Sequence, residues 1–571
     1  MASYGDVRRW RPGPLEDTEQ ALKRKSDSLL RLNDEFAEMA TPREWTGDAA
    51  TSARREHGRI TGRMEEIVAS VSAARSATGD ASDAVIGLRH AVEEAEELAR
   101  AHGFAIGDDG AVNDVAPPQD VPADDVDEVR RERERIQTEL VDRVEQILRR
   151  ATDIDNDLAD VLRKVSNDEI GDDGATTLAA AAAAAAAGAA QGGLSVLAPP
   201  KGGSPGDNAG WWDTLSKAEQ QAIIANHPEW IGNRDGIPFT ARDEANRARL
   251  ETEKTRLAAE RRRLQADLDD NLFGGLFTNA DARLDQVEEK LASIEVIEST
   301  LDKGNRQLLQ FDTSPERAEA AIANGNVDTA DHVAVFTPGL TSNVPDSMVD
   351  YDANMDNLQS RTQDELRKYG DGGSVATVTW IGYQAPQLSA DSIFSDNSVA
   401  SDQAAAAGAE KLTPFLQGID TARDTDAHLT ALGHSYGSTT TGLALQNDTG
   451  VDEAVFFGSP GLGTNEVNDI KVPDGHATYI EAKRDAVGDL GYFGIDPSHM
   501  DGMDYATSAE ARHPGDGRVM NEVTGHTSYL DDGSTSQYNM AVITGGMSDR
   551  VLHGADRGIG DVGSWPVPGT Y

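Results

Sequence analysis

The sequence predicts an α/β fold with a mostly parallel sheet in the carboxy-terminal part of the chain, preceded by an all-α helical region. From residue 308 onward, short apolar runs rich in valine and phenylalanine alternate with helical segments. This alternation of strand and helix is typical of a parallel sheet covered by helices on both faces. Before residue 170, apolar residues recur instead at spacings of three and four, which is the period of packed helices.

Residues 1–170 are predicted to form helices, beginning with a helical hairpin. Two apolar stripes flank the segment Glu-Trp-Thr-Gly at residues 44–47, and further helical periodicity follows. The stripe residues are Leu22, Leu29, Leu32 and Phe36 before this segment, Ile60, Met64, Ile67, Val71 and Ala74 after it, then Val85, Leu88 and Val92, and finally Ile136, Leu140, Val144, Ile147, Ile154, Leu158 and Val161.

The order of helix, Trp-x-Gly turn and helix in this region resembles the WXG family of small helical-hairpin proteins, which are exported by type VII secretion. The resemblance rests on Trp45 and Gly47. It implies a helical protein partner or an export machinery for the amino-terminal region. The alternative interpretation is that Trp45 simply caps the core of a hairpin.

Residues 171–210 are predicted to be a linker rich in alanine, glycine and proline. Residues 176–200 carry no charge and are mostly alanine and glycine. Alanine contributes too little apolar area for a secure membrane span. We therefore predict a helical or flexible spacer here, and no transmembrane segment.

Residues 211–306 are predicted to be a helical hairpin that extends the α/β domain. Leu250, Leu257 and Leu264 recur every seven residues, and a second stripe follows a break at two glycines, residues 274 and 275. The second stripe consists of Leu284, Val287, Leu291, Ile294 and Leu301. The charged outer face of such a hairpin is explained by contact with solvent and requires no ligand.

Residues 307–571 are predicted to form the α/β domain itself. The expected strands are residues 308–311, 332–336, 375–380, 427–432, 453–458 and 477–482, and the expected helices include residues 348–367 and 404–416.

Residues 433–437, Gly-His-Ser-Tyr-Gly, carry the most specific chemical signal of this domain. They follow a predicted buried strand and precede a helix of small residues. A Gly-x-Ser-x-Gly turn in this position is the nucleophile elbow of α/β-hydrolases, which holds the serine hydroxyl above the sheet. A second match at residues 202–206 has no strand before it and has Pro205 after its serine, so it lacks an N–H donor there. Ser435, and not Ser204, is the predicted nucleophile.

The serine of such an elbow needs an acid that comes later in the chain. Asp485 follows the second predicted strand after the elbow, where this fold carries its orienting carboxylate. Asp489, Asp496 and Asp501 lie close enough to be alternatives.

The general base is expected to be a histidine on a still later loop. His526 fits this position and would take the proton from Ser435 while Asp485 fixes its tautomer. His499 and His513 are the rivals, but they follow Asp485 so soon that no further strand is expected in between.

Two N–H groups are expected to form the oxyanion hole. One belongs to Tyr436, directly after the serine. The other is expected in the turn Thr-Pro-Gly-Leu-Thr at residues 337–341, where Leu340 is the candidate and Thr341 the next choice. The alternative is that this segment is only a turn.

The elbow, the Thr-Pro-Gly turn and residues 211–247 together resemble a bacterial α/β-hydrolase family of largely unknown function. The stretch Pro-Glu-Trp-Ile-Gly-Asn-Arg-Asp-Gly-Ile-Pro at residues 228–238 is the most distinctive part. The resemblance covers about residues 211–530. It implies the hydrolase fold and a serine triad at Ser435, Asp485 and His526, and it supplies no substrate.

The composition narrows the classes of function. The chain of 571 residues has a formal net charge of -47 and no cysteine. This charge argues against nucleic acid or an anionic membrane as a direct partner, because phosphate binding needs lysine and arginine. A chain without cysteine has no disulfide and no thiolate nucleophile. We also expect no cofactor and no metal, since no zinc-protease, Walker A or EF-hand motif is found.

The first 14 residues lack the apolar core of a signal peptide. We therefore expect a cytoplasmic protein, or one that is exported by a route without a cleaved signal peptide.

Together these features predict a serine hydrolase, similar to esterases and lipases, that cleaves an ester or related acyl bond through an acyl-enzyme. A small-molecule or lipid-like acyl substrate would suit Trp380, Tyr383 and Phe394, which line a pocket or belong to the core. The alternatives are a peptidase or acyltransferase with the same triad, or a catalytically silent, export-associated binding module on the same fold.

Overall fold

The structure is a computed structural model. It describes residues 2–39, 42, 44–119, 121–122, 126–173, 180–269, 280–387, 399–423, 425–485, 487–488 and 492–554. The chain divides into two compact units, which are considered separately. The first comprises residues 1–118 and 136–222, and the second comprises residues 119–135 and 223–571.

The amino-terminal part of the chain is helical, as the sequence predicts. In chain order its elements are α1 (Tyr4–Val7), α2 (Gly13–Glu38), α3 (Asp48–Ala101), β1 (Phe104–Ile106), β2 (Val112–Asp114), α4 (Val126–Ser166), α5 (Ala180–Gly192), α6 (Pro205–Asp213) and α7 (Lys217–Asn226). The two strands form a small antiparallel hairpin. Helix α3 has 54 residues, so the apolar stripes at residues 60–74 and 85–92 belong to one continuous helix, and the stripe at residues 136–161 belongs to α4.

Helices α2 and α3 form a hairpin, held by an ion pair and a ring contact. The Arg75 Nε donates to Glu19 Oε1 at 2.7 Å, and the Phe36 ring stacks on His57 at 4.6 Å. Trp45 lies in the connection between the helices and is 45% exposed. Its side chain therefore does not fill a hairpin core.

Part of the segment that the sequence predicts as a linker is a packed helix. Helix α5 lies so close to α3 that a Cβ on Gly188 would overlap the carbonyl oxygen of Ala69. Small side chains allow this approach, so alanine and glycine serve here as packing residues. The residues after α5 also belong to the first unit as far as residue 222. Within them, Trp211 is fully buried and donates its Nε1–H to Leu197 O.

Ser204, the serine of the second Gly-x-Ser-x-Gly match, begins helix α6. Its hydroxyl accepts the N–H of Asp207, and the Asp207 carboxylate accepts the N–H of Ser204. This reciprocal pair is a capping box, so the pattern at residues 202–206 has a purely helical explanation.

The second unit contains an eight-stranded sheet with helices on both faces. Its helices are α8 (Phe239–Asp269), α9 (Ala280–Leu301), α10 (Val344–Tyr369), α11 (Val399–Thr421), α12 (Tyr436–Ala444) and α13 (Thr535–Thr544). The sheet strands are β3 (Arg306–Asp312), β4 (Glu319–Asn324), β5 (His332–Thr337), β6 (Val375–Ile381), β7 (His428–His434), β8 (Glu453–Phe457), β9 (Ala477–Ile480) and β10 (Asp504–Ala506). A separate small hairpin consists of β11 (Ala511–Arg512) and β12 (Val519–Met520).

The sheet has the strand order β10-β9-β8-β7-β5-β6-β4-β3. Strand β4 runs antiparallel to both of its neighbours, β3 and β6, and every other pair is parallel. The predicted α/β fold, with a mostly parallel sheet preceded by helices, is thereby confirmed.

Strand β5 illustrates why these runs form the centre of the sheet. All six of its residues are buried. Val333 and Val335 belong to the apolar core on one face of the sheet, and Ala334 and Phe336 belong to the core on the other. A strand buried on both faces reads as a continuous apolar run, which is the pattern seen in the sequence.

The distinctive stretch at residues 228–238 covers the edge strand β3. The Asn233 amide donates to Phe311 O at 2.8 Å and accepts from Phe311 N at 2.9 Å, in the manner of a neighbouring strand. The fully buried Arg242 holds the stretch through Asp235 at 2.9 Å. An uncovered edge invites pairing with other chains, so this segment protects the sheet.

Among the residues that the structure describes, no helix is both long enough and apolar enough to cross a bilayer.

Candidate active site

Ser435 occupies a strained turn between β7 and α12. Its φ is 53° and its ψ is -132°, a region that residues other than glycine seldom adopt. The Ser435 N–H donates to Phe457 O at 3.0 Å and fixes the turn against β8. Residues held in such conformations cluster at functional sites, because the surrounding structure must offset their cost.

The structure brings Ser435, His526 and Asp485 together. The distance from Ser435 Oγ to His526 Nε2 is 2.8 Å, and the distance from His526 Nδ1 to Asp485 Oδ1 is 2.9 Å. Ser435 and Asp485 are buried, while 27% of the His526 side chain is exposed. The three side chains form a continuous hydrogen-bonded chain that solvent reaches at the histidine.

The loops of Asp485 and His526 are also joined through their main chains. Residues Lys483 and Thr524 form a parallel β-bridge, and the Gly525 N–H donates to Lys483 O at 3.0 Å. These contacts hold the two loops in register directly beside the side chains of Asp485 and His526.

Tyr529 is a fourth member of the cluster, which sequence reasoning missed. Its hydroxyl donates to Asp485 Oδ2 at 2.6 Å and accepts the N–H of Ala482 at 2.7 Å. Tyr529 lies three residues after His526, in the run Gly-His-Thr-Ser-Tyr at residues 525–529. This closeness to the candidate base was the one feature of the sequence that pointed to it.

The Asp485 carboxyl has a lowered pKa, although it is buried. Burial acts to raise the pKa, but the hydrogen bonds from His526, Tyr529 and the Val487 N–H outweigh it and leave the pKa below the ordinary 3.8. A carboxyl with a lowered folded-state pKa stabilises the fold above its unfolded pKa. The contribution of Asp485 is therefore present above about pH 4 and is lost as the pH falls through its folded pKa.

We predict that Tyr529→Phe destabilises the protein by about 1.5–3 kcal/mol at neutral pH, because it removes a hydrogen bond to a charged group. The difference from wild type should shrink as the pH falls from about 4 through the lowered folded-state pKa of Asp485. Chemical unfolding from pH 2 to pH 7 measures both. The control is Tyr538→Phe, because the Tyr538 hydroxyl donates to the main-chain Arg550 O and, among the described residues, to no carboxylate. Parallel pH profiles for the two variants would contradict this assignment.

The turn after β5 lies against Ser435. A Cβ built on Gly339 would lie 2.7 Å from Ser435 Cβ and 3.0 Å from Ser435 Oγ. The Tyr383 hydroxyl donates to Pro338 O at 2.7 Å and so holds the turn in place. Only glycine fits at residue 339, because any side chain would occupy the space of the serine hydroxyl.

The two predicted oxyanion donors directly follow the two residues of this contact in the chain, Leu340 after Gly339 and Tyr436 after Ser435. Tyr436 is the first residue of α12 and is buried, and Leu340 is partly buried against the apolar core. Thr341, the second choice, uses its N–H to donate to Pro386 O at 2.9 Å. This bond favours Leu340 over Thr341.

The rival histidines lie in other surroundings. His513 is buried and its Nε2 donates to Glu365 Oε1 at 3.0 Å, while His499 contacts Asp496 at 3.3 Å. The expectation that no strand fits between Asp485 and His513 is wrong, because β10 lies there. This strand has only three residues and two of them are half-buried, so it leaves no apolar run to detect.

The rival acids are also accounted for where the structure describes them. The Asp496 side chain accepts the N–H of Ser498 and begins a short 3-10 helix. Asp501 is exposed on a turn. Asp489 lies outside the described residues.

The proposed pocket aromatics belong mainly to the core. Trp380 and Tyr383 are buried and their rings stack at 5.8 Å, and Trp380 Nε1 donates to Gln310. Phe394 lies outside the described residues. Within the described part of the chain, no cluster of three His, Asp or Glu residues has the geometry of a metal site.

Gly458 directly follows β8 and has no side chain, and Asp485 and His526 occupy the space where a side chain would lie. Its φ is 56°, and a Cβ there would lie 2.8 Å from Asp485 Oδ2 and 3.2 Å from His526 Nδ1. This glycine was not identified from the sequence, because nothing local distinguishes it from the many other glycines of the chain.

We predict that Gly458→Ala lowers turnover at this site by about 100-fold or more, since displacing a reacting group by about 1 Å has an effect of this size. Gly475→Ala is the matched control, because Gly475 also has a positive φ, 81°, but its Cβ would meet nothing within 4 Å. Both variants should lose about 1–2 kcal/mol of stability from the left-handed backbone. Equal activity of the two would show that the space beside Asp485 is unimportant.

The sequence is similar to a protein family and to several known proteins. A family model described as alpha/beta hydrolase matches residues 314–495, which include Ser435 and Asp485. An uncharacterized protein of Mycobacterium bovis is 33% identical over 225 residues, which are 38% of this chain and 82% of the relative. An uncharacterized protein of Mycobacterium tuberculosis is 30% identical over 276 residues, which are 47% of this chain and 41% of the relative. The chain thus spans less than half the length of this second relative.

Among solved structures, a cold-adapted esterase from an Arctic intertidal metagenomic library aligns with 43% of this chain and 95% of its own. The TM-score is 0.28 and the sequence identity is 11%.

Proposed function

We propose that this chain, which belongs to the α/β-hydrolase family, is a serine hydrolase that cleaves an ester or a related acyl bond. The observation that carries the proposal is the hydrogen-bonded chain from Ser435 Oγ through His526 to Asp485, with steps of 2.8 and 2.9 Å. A nucleophile, a base and an orienting acid within hydrogen-bond reach are the signature of nucleophilic acyl transfer.

In the proposed first half-reaction, Ser435 Oγ attacks the acyl carbon while its proton passes to His526 Nε2. The ionised Asp485 accepts a hydrogen bond from His526 Nδ1 and stabilises the imidazolium that forms. When the tetrahedral intermediate collapses, the bond from the acyl carbon to the leaving oxygen breaks. His526 then returns its proton to the leaving alcohol, and an acyl-enzyme remains on Ser435.

In the second half-reaction, a water molecule takes the part that Ser435 had in the first and hydrolyses the acyl-enzyme. His526 takes a proton from the water, the hydroxide attacks the acyl carbon, and the bond from that carbon to Ser435 Oγ breaks. The proton returns to Ser435, and the carboxylic acid leaves. The partial exposure of His526 supports this step, because water can reach its side of the cluster.

The oxyanion of both tetrahedral intermediates is proposed to bind the N–H groups of Tyr436 and Leu340. The close contact between the Gly339 turn and Ser435 supports this pairing, and so does the use of the Thr341 N–H elsewhere. Tyr436 also begins α12, so the positive end of the helix faces the developing charge. Each such donor typically contributes about 3 kcal/mol in the transition state.

A small-molecule or lipid-like acyl ester is the proposed substrate class. The test is a panel of p-nitrophenyl esters with acyl chains from two to sixteen carbons, assayed with the full chain. A fluorophosphonate probe should inhibit the hydrolysis, and mass spectrometry of the labelled protein should find the adduct on Ser435. No hydrolysis of any ester and no adduct on Ser435 would contradict the proposal. Cleavage of peptides alone would favour a peptidase with the same triad.

A further inference from the structure

His434 connects the turn of Ser435 to the loop of His526. It is the last residue of β7 and directly precedes Ser435. Its Nε2 lies 2.9 Å from the main-chain carbonyl oxygen of His526. A carbonyl oxygen only accepts hydrogen bonds, so the Nε2 must carry the proton and donate.

The His434 ring is packed among the aromatic groups of the site. It stacks on Phe457 at 5.1 Å and lies at 4.9 Å from the His526 ring and at 5.9 Å from Tyr529. These contacts hold the ring inside the site, where its Nε2–H faces the His526 carbonyl.

His434 remains neutral over the working range of a hydrolase. Burial, and after it the neighbouring His526, lower the pKa of His434 to about 3. A neutral ring is important at this position, because a second positive charge would disfavour the imidazolium that His526 must form.

We propose that His434 is a positioning residue: its Nε2–H, donated to the His526 carbonyl, fixes the loop of His526 at the correct distance from Ser435. The inference rests on the proposed function, since it assigns His434 a part in the proton transfer between these two residues. Ser435 and His526 are 91 residues apart in the chain. The bond from His434 ties their two loops together directly, one residue away from the nucleophile and at the base itself.

The experiment compares two substitutions at residue 434. His434→Phe keeps an aromatic ring for the contact with Phe457 but has no donor, and His434→Gln keeps a neutral N–H donor. His428→Phe is the matched control. His428 stands at the other end of the same strand and its Nε2 also bonds a main-chain carbonyl, that of Ile543, at 3.2 Å.

We expect His434→Phe to lower kcat by about 10- to 100-fold with KM nearly unchanged, as a misaligned base predicts. His434→Gln should recover most of this loss. His428→Phe should keep the wild-type kcat even where its Tm falls. The proposal is overturned if His434→Phe retains full kcat, or if His434→Gln is no better than His434→Phe.

Proton NMR gives a second readout that does not depend on turnover. The proton between His526 Nδ1 and Asp485 should give a downfield signal in wild type, His434→Gln and His428→Phe, and a shifted or broadened one in His434→Phe. An unchanged signal in His434→Phe contradicts the positioning role. If wild type hydrolyses no ester and carries no adduct on Ser435, the proposed function fails, whereas the NMR comparison still decides whether His434 orients His526.

Discussion

Ser435→Ala is expected to abolish ester hydrolysis, with kcat lowered by about 10⁴-fold or more, because the proposed acyl-enzyme forms on the hydroxyl that this substitution removes. The variant should remain folded. Alanine tolerates the positive φ of this turn about as well as serine does, and the hydroxyl removed donates only within the site. The measurement is kcat with the best ester of the panel, together with labelling by the fluorophosphonate probe.

The control for this variant is Ser204→Ala, the serine of the other Gly-x-Ser-x-Gly match. It should keep full activity and lose about 1 kcal/mol of stability, because it removes a helix cap. Equal labelling of wild type and Ser435→Ala, or an adduct on Ser204, would contradict the assignment of Ser435 as the nucleophile.

His526→Ala is expected to have an effect of similar size. Without its base, Ser435 keeps its proton, and the leaving group has no acid. Groups that act as a unit have strongly non-additive effects. The double variant with Ser435→Ala should therefore be about as inactive as either single variant.

His499→Ala serves as the matched control for the histidine. It is exposed and its ring contacts only Ser498 and Asp496 among the contacts that the structure records. It should retain wild-type turnover. An inactive His499→Ala beside an active His526→Ala would require another base for the reaction.

The sequence was sufficient to predict the fold where the local pattern is strong. Strands β5 and β7 are buried on both faces and leave continuous apolar runs, and the elbow between β7 and α12 has its own motif. Strand β4 escaped prediction. Its sequence, Glu-Ala-Ala-Ile-Ala-Asn, has little β-propensity, and the strand exists because β3 and β6 pair with it on both sides.

Some residues of the candidate site were likewise predictable from the sequence, and others were not. Ser435, Asp485 and His526 follow from a motif and an order along the chain. Gly458, Tyr529 and His434 do not, since their importance lies in what they touch. Gly458 is defined by the space beside Asp485, Tyr529 by its bond to that carboxylate, and His434 by a carbonyl 92 residues away. Such contacts are properties of tertiary structure, which local periodicity does not encode.

The late position of His526 in the chain has a consequence for biosynthesis. When Ser435 has left the ribosome and its strand has formed, the proposed base is still 91 residues from being in place. The helix that follows this loop, α13, packs on the sheet, and the Ser536 hydroxyl donates to the carbonyl of Tyr529. On the proposed mechanism, a chain that has not yet placed His526 beside Ser435 lacks its general base, so ester hydrolysis should begin only after this late loop has folded.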